Sequence, residues 1–114
     1  MTLTMAVNTL GKMTLADNID IELLSNSDDM TVARILFAAP VAAAIHHHPH
    51  EEVNVIVAGR FEVQVGEAFY QATTGDCIRV APHIPHSIRS LDGKGEVLTC
   101  WTPSRRDLVA KMVM

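Results

Sequence analysis

The sequence predicts an all-β fold, a sandwich or barrel of short strands closed by one short C-terminal helix. Three observations predict it. From Met30 onward apolar and polar residues alternate with the two-residue period of a strand, glycines interrupt the runs at short intervals, and the one helical pattern follows Pro103. The 114 residues make one domain, 1–114, whose core is expected over about 30–103.

Val53, Val55 and Val57 alternate with Asn54, Ile56 and Ala58, so residues 53–58 read as a strand. Ala58-Gly59 punctuates it, and Phe61, Val63 and Val65 then alternate with Arg60, Glu62 and Gln64. Gly66-Glu67 fits a tight hairpin turn, with glycine supplying a positive φ. Gly75-Asp76 opens a further run over residues 77–81, and Asp92-Gly93 is expected to close a hairpin between strands over 86–91 and 96–102. Beyond these, Thr102 can cap a helix, Pro103 suits its first turn, and Leu108, Val109 and Met112 give it a short apolar face. The first thirty residues show no strong period. They read as an edge strand that a partner chain could exchange, and the expected assembly is a homodimer.

A hydrophobic share of 48% is enough for a core without disulfide staples. The net charge of −4, with nine basic residues scattered along the chain, lacks the clustered cations of phosphate recognition, so no nucleic-acid partner is expected. The same charge gives no attraction to an anionic membrane. No apolar run approaches a membrane span, and residues 1–15 lack the basic start and unbroken apolar stretch of a signal peptide. The expectation is a soluble, cytoplasmic protein. Cys77 and Cys100, far apart in apolar contexts, read as reduced, half-buried thiols rather than a disulfide.

Six histidines in so short a chain fall in two places. In Ile45-His46-His47-His48-Pro49-His50-Glu51-Glu52, residues two apart on an extended chain point the same way. His46 and His48 therefore share one side and His47 faces the other. Glu52, after the turn that Pro49 favours, can complete that side with a carboxylate. The alternative pair, His48 and His50, leaves Glu52 too close behind and puts Pro49 between the ligands. In the second place, His86 follows the rigid turn around Pro82 and Pro85 and can supply a fourth ligand. Imidazoles plus a carboxylate suit one divalent transition metal, Zn, Ni, Mn, Fe or Co, without choosing among them.

These stretches resemble the cupin family. Its first motif has two histidines one residue apart, a glutamate three or four residues later and a glycine after six more. His46, His48, Glu52 and Gly59 meet each spacing. Its second motif runs from Gly75-Asp76 through a strand to Pro85-His86, with His83 where a Gly or Asn is usual and Ala81 where a first proline is common. The resemblance implies a double-stranded β-helix, the cupin jelly-roll barrel, with the metal inside its mouth. A narrower likeness joins His46-x-His48-Pro49-His50-Glu51 and Trp101-Thr102-Pro103-Ser104-Arg105-Arg106-Asp107-Leu108 to the pectin-degradation cupins, which convert a cyclic unsaturated uronate into its open-chain keto form. By that resemblance Arg105 would hold the substrate carboxylate, since a guanidinium fork can take both oxygens at once. Trp101 would pack on the sugar ring, and Val97, Thr99 and Trp101 share one strand face. Thr99 stands where that group has an aspartate suited to proton transfer, and Glu52 where it often has glutamine. The proton carrier is then expected to be His50, as a catalytic residue, or a metal-bound water, with Asn54 and Thr99 beside Trp101 as substrate-binding positions.

The leading expectation is a metal-dependent enzyme acting on a small-molecule substrate, a sugar acid that it opens or tautomerises. An iron-dependent dioxygenase would use the same ligands. A non-catalytic metal or small-ligand binding module is the alternative from another class.

Overall fold

The computed structural model describes residues 9–114. In chain order its elements are β1 (Gly11–Ala16), β2 (Ile19–Asn26), β3 (Thr31–Phe37), β4 (Glu51–Ala58), β5 (Arg60–Val65), β6 (Ala68–Thr73), β7 (Cys77–Val80), β8 (His86–Ser90), β9 (Gly95–Thr102) and α1 (Arg106–Val109). The strands form a six-stranded sheet, β1-β2-β3-β9-β4-β7, and a three-stranded sheet, β6-β5-β8, with antiparallel pairing throughout. This is the expected all-β jelly roll with one short C-terminal helix.

Alternation decides which faces meet. Ile19, Ile21 and Leu23 of β2, Ala33, Ile35 and Phe37 of β3, and Val97 and Trp101 of β9 point inward from the large sheet. Phe61 and Val63 of β5 and Ala72 of β6 meet them from the small one. Phe37 and Phe61 join the two layers edge to face, ring centroids 5.1 Å apart, an arrangement that favours aromatic pairs beyond their buried area. The β5–β6 turn is the expected two-residue hairpin, with Val65 opposite Ala68 and Gly66 at φ 60°.

Three expectations need correction. The 86–91 and 96–102 strands do not form a hairpin: β8 pairs with β5 in the small sheet, and β9 lies between β3 and β4 in the large one. The Asp92-Gly93 turn carries the chain from one layer to the other. The β1–β2 hairpin adds Ile19, Ile21 and Leu23 to the hydrophobic core, and the C-terminus adds Leu108 and Met112. Thr102 caps no helix; it ends β9, and α1 starts at Arg106 with no side-chain cap. Cys77 is exposed rather than half-buried, while Cys100 is half-buried with its thiol pKa pushed up by burial. Both are free.

β1 is an edge strand, as expected, and its described residues pair within their own chain, with Lys12 also bridged to Val113. Part of the segment expected to exchange with a partner, residues 1–8, lies outside the described residues.

Candidate metal centre

The chain between β3 and β4 is extended and held by isolated bridges. His46 pairs with His86, each backbone N–H donating to the other's carbonyl at 3.1 and 2.9 Å. His83 N–H donates to the His48 carbonyl at 2.8 Å, which ties the turn before β8 to the histidine segment. Bends at Pro49 and His50 lead into β4, where Glu52 starts the inward-facing series Glu52, Asn54, Ile56. The strand polarity is the reverse of what hydropathy suggests. Val53 and Val55 are half-buried and Val57 is exposed, whereas Glu52 and Asn54 face the interior.

This framework brings His46, His48, Glu52 and His86 together, with one ligand atom from each lying within 4.8 Å of the others. His48, Glu52 and His86 are buried. His46 Nδ1–H donates to the Ala44 carbonyl and His86 Nδ1–H to the Ile84 carbonyl, both at 2.8 Å. A carbonyl only accepts, so each Nδ1 carries a proton, and in the neutral ring, the form that ligates a metal, the lone pair is on Nε2. His48 Nε2 is 3.1 Å and His86 Nε2 3.3 Å from Glu52 Oε1, and His86 Nε2 is buried with no hydrogen-bond partner among the described residues. Three imidazoles and one carboxylate, with His86 Nε2 orphaned beside Glu52, fit a divalent transition metal by donor type and by number.

The electrostatics agree with a charged carboxylate in this cluster. Burial alone would raise the Glu52 pKa, but the hydrogen bond from His48, the close approach of His86 in its protonated form and the hydrogen bond from Asn54 hold it far below the usual carboxylate range. For His86, burial lowers the pKa, and the neighbouring Glu52 carboxylate lifts it on balance. His46 is lowered, chiefly by burial.

The cluster forms one corner of a cavity of about 390 Å³. Its walls are largely apolar, from Ile35 and Phe37 on one sheet to Val63 and Ile88 on the other, with Trp101 beside the cluster and Arg105 and Lys111 as its cations. That size and lining suit a small ligand oriented by a few polar groups. Trp101 is both a core residue and a cavity wall, and its indole N–H donates to Glu52 Oε1 at 2.5 Å.

Arg105 lies where the cavity meets α1. Its backbone N–H donates to Thr31 Oγ1 at 2.9 Å, and its Nε and Nη2 donate to Asp107 Oδ1 and Oδ2 at 3.1 Å each. One edge of the guanidinium fork is therefore taken by Asp107, and the Nη1/Nη2 edge carries no partner among the described residues. Arg106 is exposed and turned away, 3.5 Å from Asp28. Asp107 and Lys111 are the cavity-wall charges that sequence reasoning did not single out. Asp107 lies two residues past the predicted carboxylate binder, within the motif already noted.

Asn54 lines the cavity, but Thr99 does not. Thr99 is fully buried behind Asn54, to which its hydroxyl donates at 2.7 Å. His50 also lies outside the cavity. The bend at Pro49 turns it into a neighbouring open cleft with Ser104 and Asp107, its ring against that of His48 at 5.2 Å between centroids. Its pKa is lowered, first by burial and then by the charge of Arg105. Arg34, a cation in an apolar run, pairs with Glu22 at 2.8 Å and Glu96 at 3.2 Å away from the cavity.

Comparison with known proteins agrees with this architecture. The cupin domain family (Cupin_2) matches residues 37–102, more than half of the chain. The pectin degradation protein KdgF of Dickeya dadantii (strain 3937) is 26% identical over 96 residues, which cover 83% of this chain and 87% of that protein. Among solved structures, an RmlC-like cupin from Shewanella frigidimarina superposes with a TM-score of 0.83 at 22% identity, covering 95% of this chain and 96% of the other. KdgF from Halomonas sp. superposes with a TM-score of 0.80 at 20% identity, covering 85% and 89%. Among the described residues, no helix is long and apolar enough to cross a membrane.

Proposed function

Because the chain belongs to the cupin family, we propose that it is a metal-dependent enzyme acting on a small oxygenated acid of the uronate type, which it converts from ring to open-chain keto form. The observation that carries this is the convergence of His46, His48, Glu52 and His86 at one corner of a cavity that also holds Arg105. The 26% identical relative named as a pectin degradation protein supports the choice of substrate.

His46, His48, Glu52 and His86 would hold one divalent ion, which supplies Lewis-acid polarisation of a substrate carbonyl or hydroxyl oxygen. The remaining work falls to the chain itself. Arg105 binds the substrate carboxylate through its Nη1/Nη2 edge, while Asp107 on the other edge keeps the guanidinium from swinging away. Trp101 provides the flat apolar face against which the ring packs. The apolar walls exclude water from the reacting bonds.

Ring opening is an internal proton transfer. The anomeric hydroxyl loses a proton, the ring C–O bond breaks, and the unsaturated carbon gains a proton as the keto group forms. Thr99 is behind the wall and His50 is in the adjoining cleft, so neither reaches a substrate in this cavity. The ionisable wall groups outside the cluster and Arg105 are His47, Asp107 and Lys111.

The test is direct, because opening removes the conjugated double bond. Metal-loaded protein mixed with unsaturated galacturonate is expected to lower its ultraviolet absorbance faster than the no-enzyme control. An unchanged rate across the candidate metals contradicts the ring-opening activity and leaves the binding-module reading in its place.

A further inference from the structure

Glu52 ends a hydrogen-bond chain that runs in one direction. The Thr99 hydroxyl donates to Asn54 Oδ1 at 2.7 Å, and Asn54 Nδ2–H donates to Glu52 Oε2 at 2.8 Å. All three residues are buried. Strand register makes the chain inevitable, because β4 and β9 set Asn54 directly opposite Thr99 and Glu52 opposite Trp101 on the inner face. A carboxylate only accepts, so Asn54 must turn its NH₂ toward Glu52 and its carbonyl away. That carbonyl needs a donor in a place water does not reach, and the Thr99 hydroxyl is the donor. The direction of the amide is fixed from both ends.

We propose that Thr99 and Asn54 are positioning residues for the metal cluster, and that positions 99 and 52 are coupled through the direction of the Asn54 amide. The first part rests on the reading that the cluster holds a metal; the second does not. Thr99 touches no cavity space, so its contribution passes through Asn54 to the orientation of Glu52. The coupling follows from donor and acceptor counts alone. A carboxylate in place of Thr99 would draw the Asn54 NH₂ to itself and turn the amide carbonyl onto the Glu52 carboxylate, acceptor against acceptor. An amide in place of Glu52 would then repair the chain in the reverse sense, donating to the Asn54 carbonyl while Asn54 donates to the new carboxylate.

Two measurements test this separately. Affinity for zinc and for nickel, read by competition with a chromogenic chelator, is compared for the wild-type chain, Thr99→Ser and Thr99→Val. Thr99→Val is expected to bind about 10- to 100-fold more weakly and Thr99→Ser to stay close to wild type. Equal affinity for Thr99→Val and wild type overturns the positioning role, and a wild-type chain that binds neither metal overturns it together with the metal reading. The second measurement uses metal-free protein and denaturant unfolding of Thr99→Asp, Glu52→Gln and the double variant. The double variant is expected to be more stable than Thr99→Asp alone, by about tenfold in the folding constant, a coupling typical of neighbours that share a partner. Additive effects of the two substitutions overturn the coupling whatever the metal result.

Discussion

The guanidinium of Arg105 lies over the ring of Trp101, 5.1 Å from its centroid, while Asp107 grips its Nε/Nη2 edge. The cation is therefore held on two sides and offers a third to the cavity. Arg105→Ala is expected to lower kcat/KM for the acid substrate by about 10- to 100-fold, the worth of one charge-assisted contact. Arg106→Ala, at an exposed residue on the far side, is expected to change little. Steady-state kinetics of both variants check this; equal losses contradict the assignment of Arg105.

The Arg105–Asp107 pair also sets a pH dependence. The hydrogen bonds from Arg105 hold the Asp107 carboxyl at about 2, against an ordinary 3.8. A depressed folded-state pKa stabilises fully above the unfolded value and loses that contribution as pH falls through the folded one. The window is thus from about 4 down to about 2. Because the Asp107 side chain is 60% exposed, solvent screening keeps the effect below about 1 kcal/mol. Denaturant midpoints of wild type and Asp107→Asn should differ near neutrality and converge in acid. A gap that stays constant with pH contradicts the pairing.

Gly95 abuts Phe61 so closely that a Cβ added there would overlap the ring. Phe61 is wholly buried and braced by Phe37, so it has little room to yield. Gly95→Ala is expected to destabilise the fold by about 1–3 kcal/mol through overpacking. Thermal unfolding reads this, and a variant as stable as wild type contradicts the described contact between β9 and β5.

Assembly follows from the edges. Among the described residues β1 ends the large sheet with Leu15 exposed and Leu10 exposed just before it, and β6 ends the small one with Phe69 and Tyr70 exposed. Although Val113 covers the β1 edge at Lys12, exposed apolar side chains along sheet edges favour association. A homodimer is expected by light scattering at micromolar concentration and above. A monomer throughout that range contradicts it.

The metal cluster was legible because its parts are local. Two short stretches carry all four side chains, and the parity of an extended chain separates His46 and His48 from His47. Sheet pairing was not local, so Asp92-Gly93 read as a hairpin although the chain there changes sheets. A turn signal says that a strand ends, not which layer the chain enters next. β2 was missed despite a plain alternation, Ile19, Ile21 and Leu23 against Asp20 and Glu22, because the run is short and flanked by polar residues. The hydrogen-bond chain through Thr99, Asn54 and Glu52 depends on the β4–β9 register, which no spacing in the sequence encodes. β4 also breaks the usual pattern by burying its polar residues and half-exposing its valines. Such local inconsistency marks a working site more often than a structural one. His83, standing where a glycine or asparagine is usual in the family motif, has φ 68°, the backbone region those residues enter most easily.

The central claim is that His46, His48, Glu52 and His86 form one metal site. Elemental analysis of untagged protein, expressed with the candidate metals in the medium, tests it most directly. The expected result is about one transition-metal ion per chain, lost in His48→Ala and retained in His47→Ala, because His48 contributes a ligand atom to the cluster and His47 stands outside it. A metal-free wild-type protein, or equal loss from His47→Ala and His48→Ala, would contradict it.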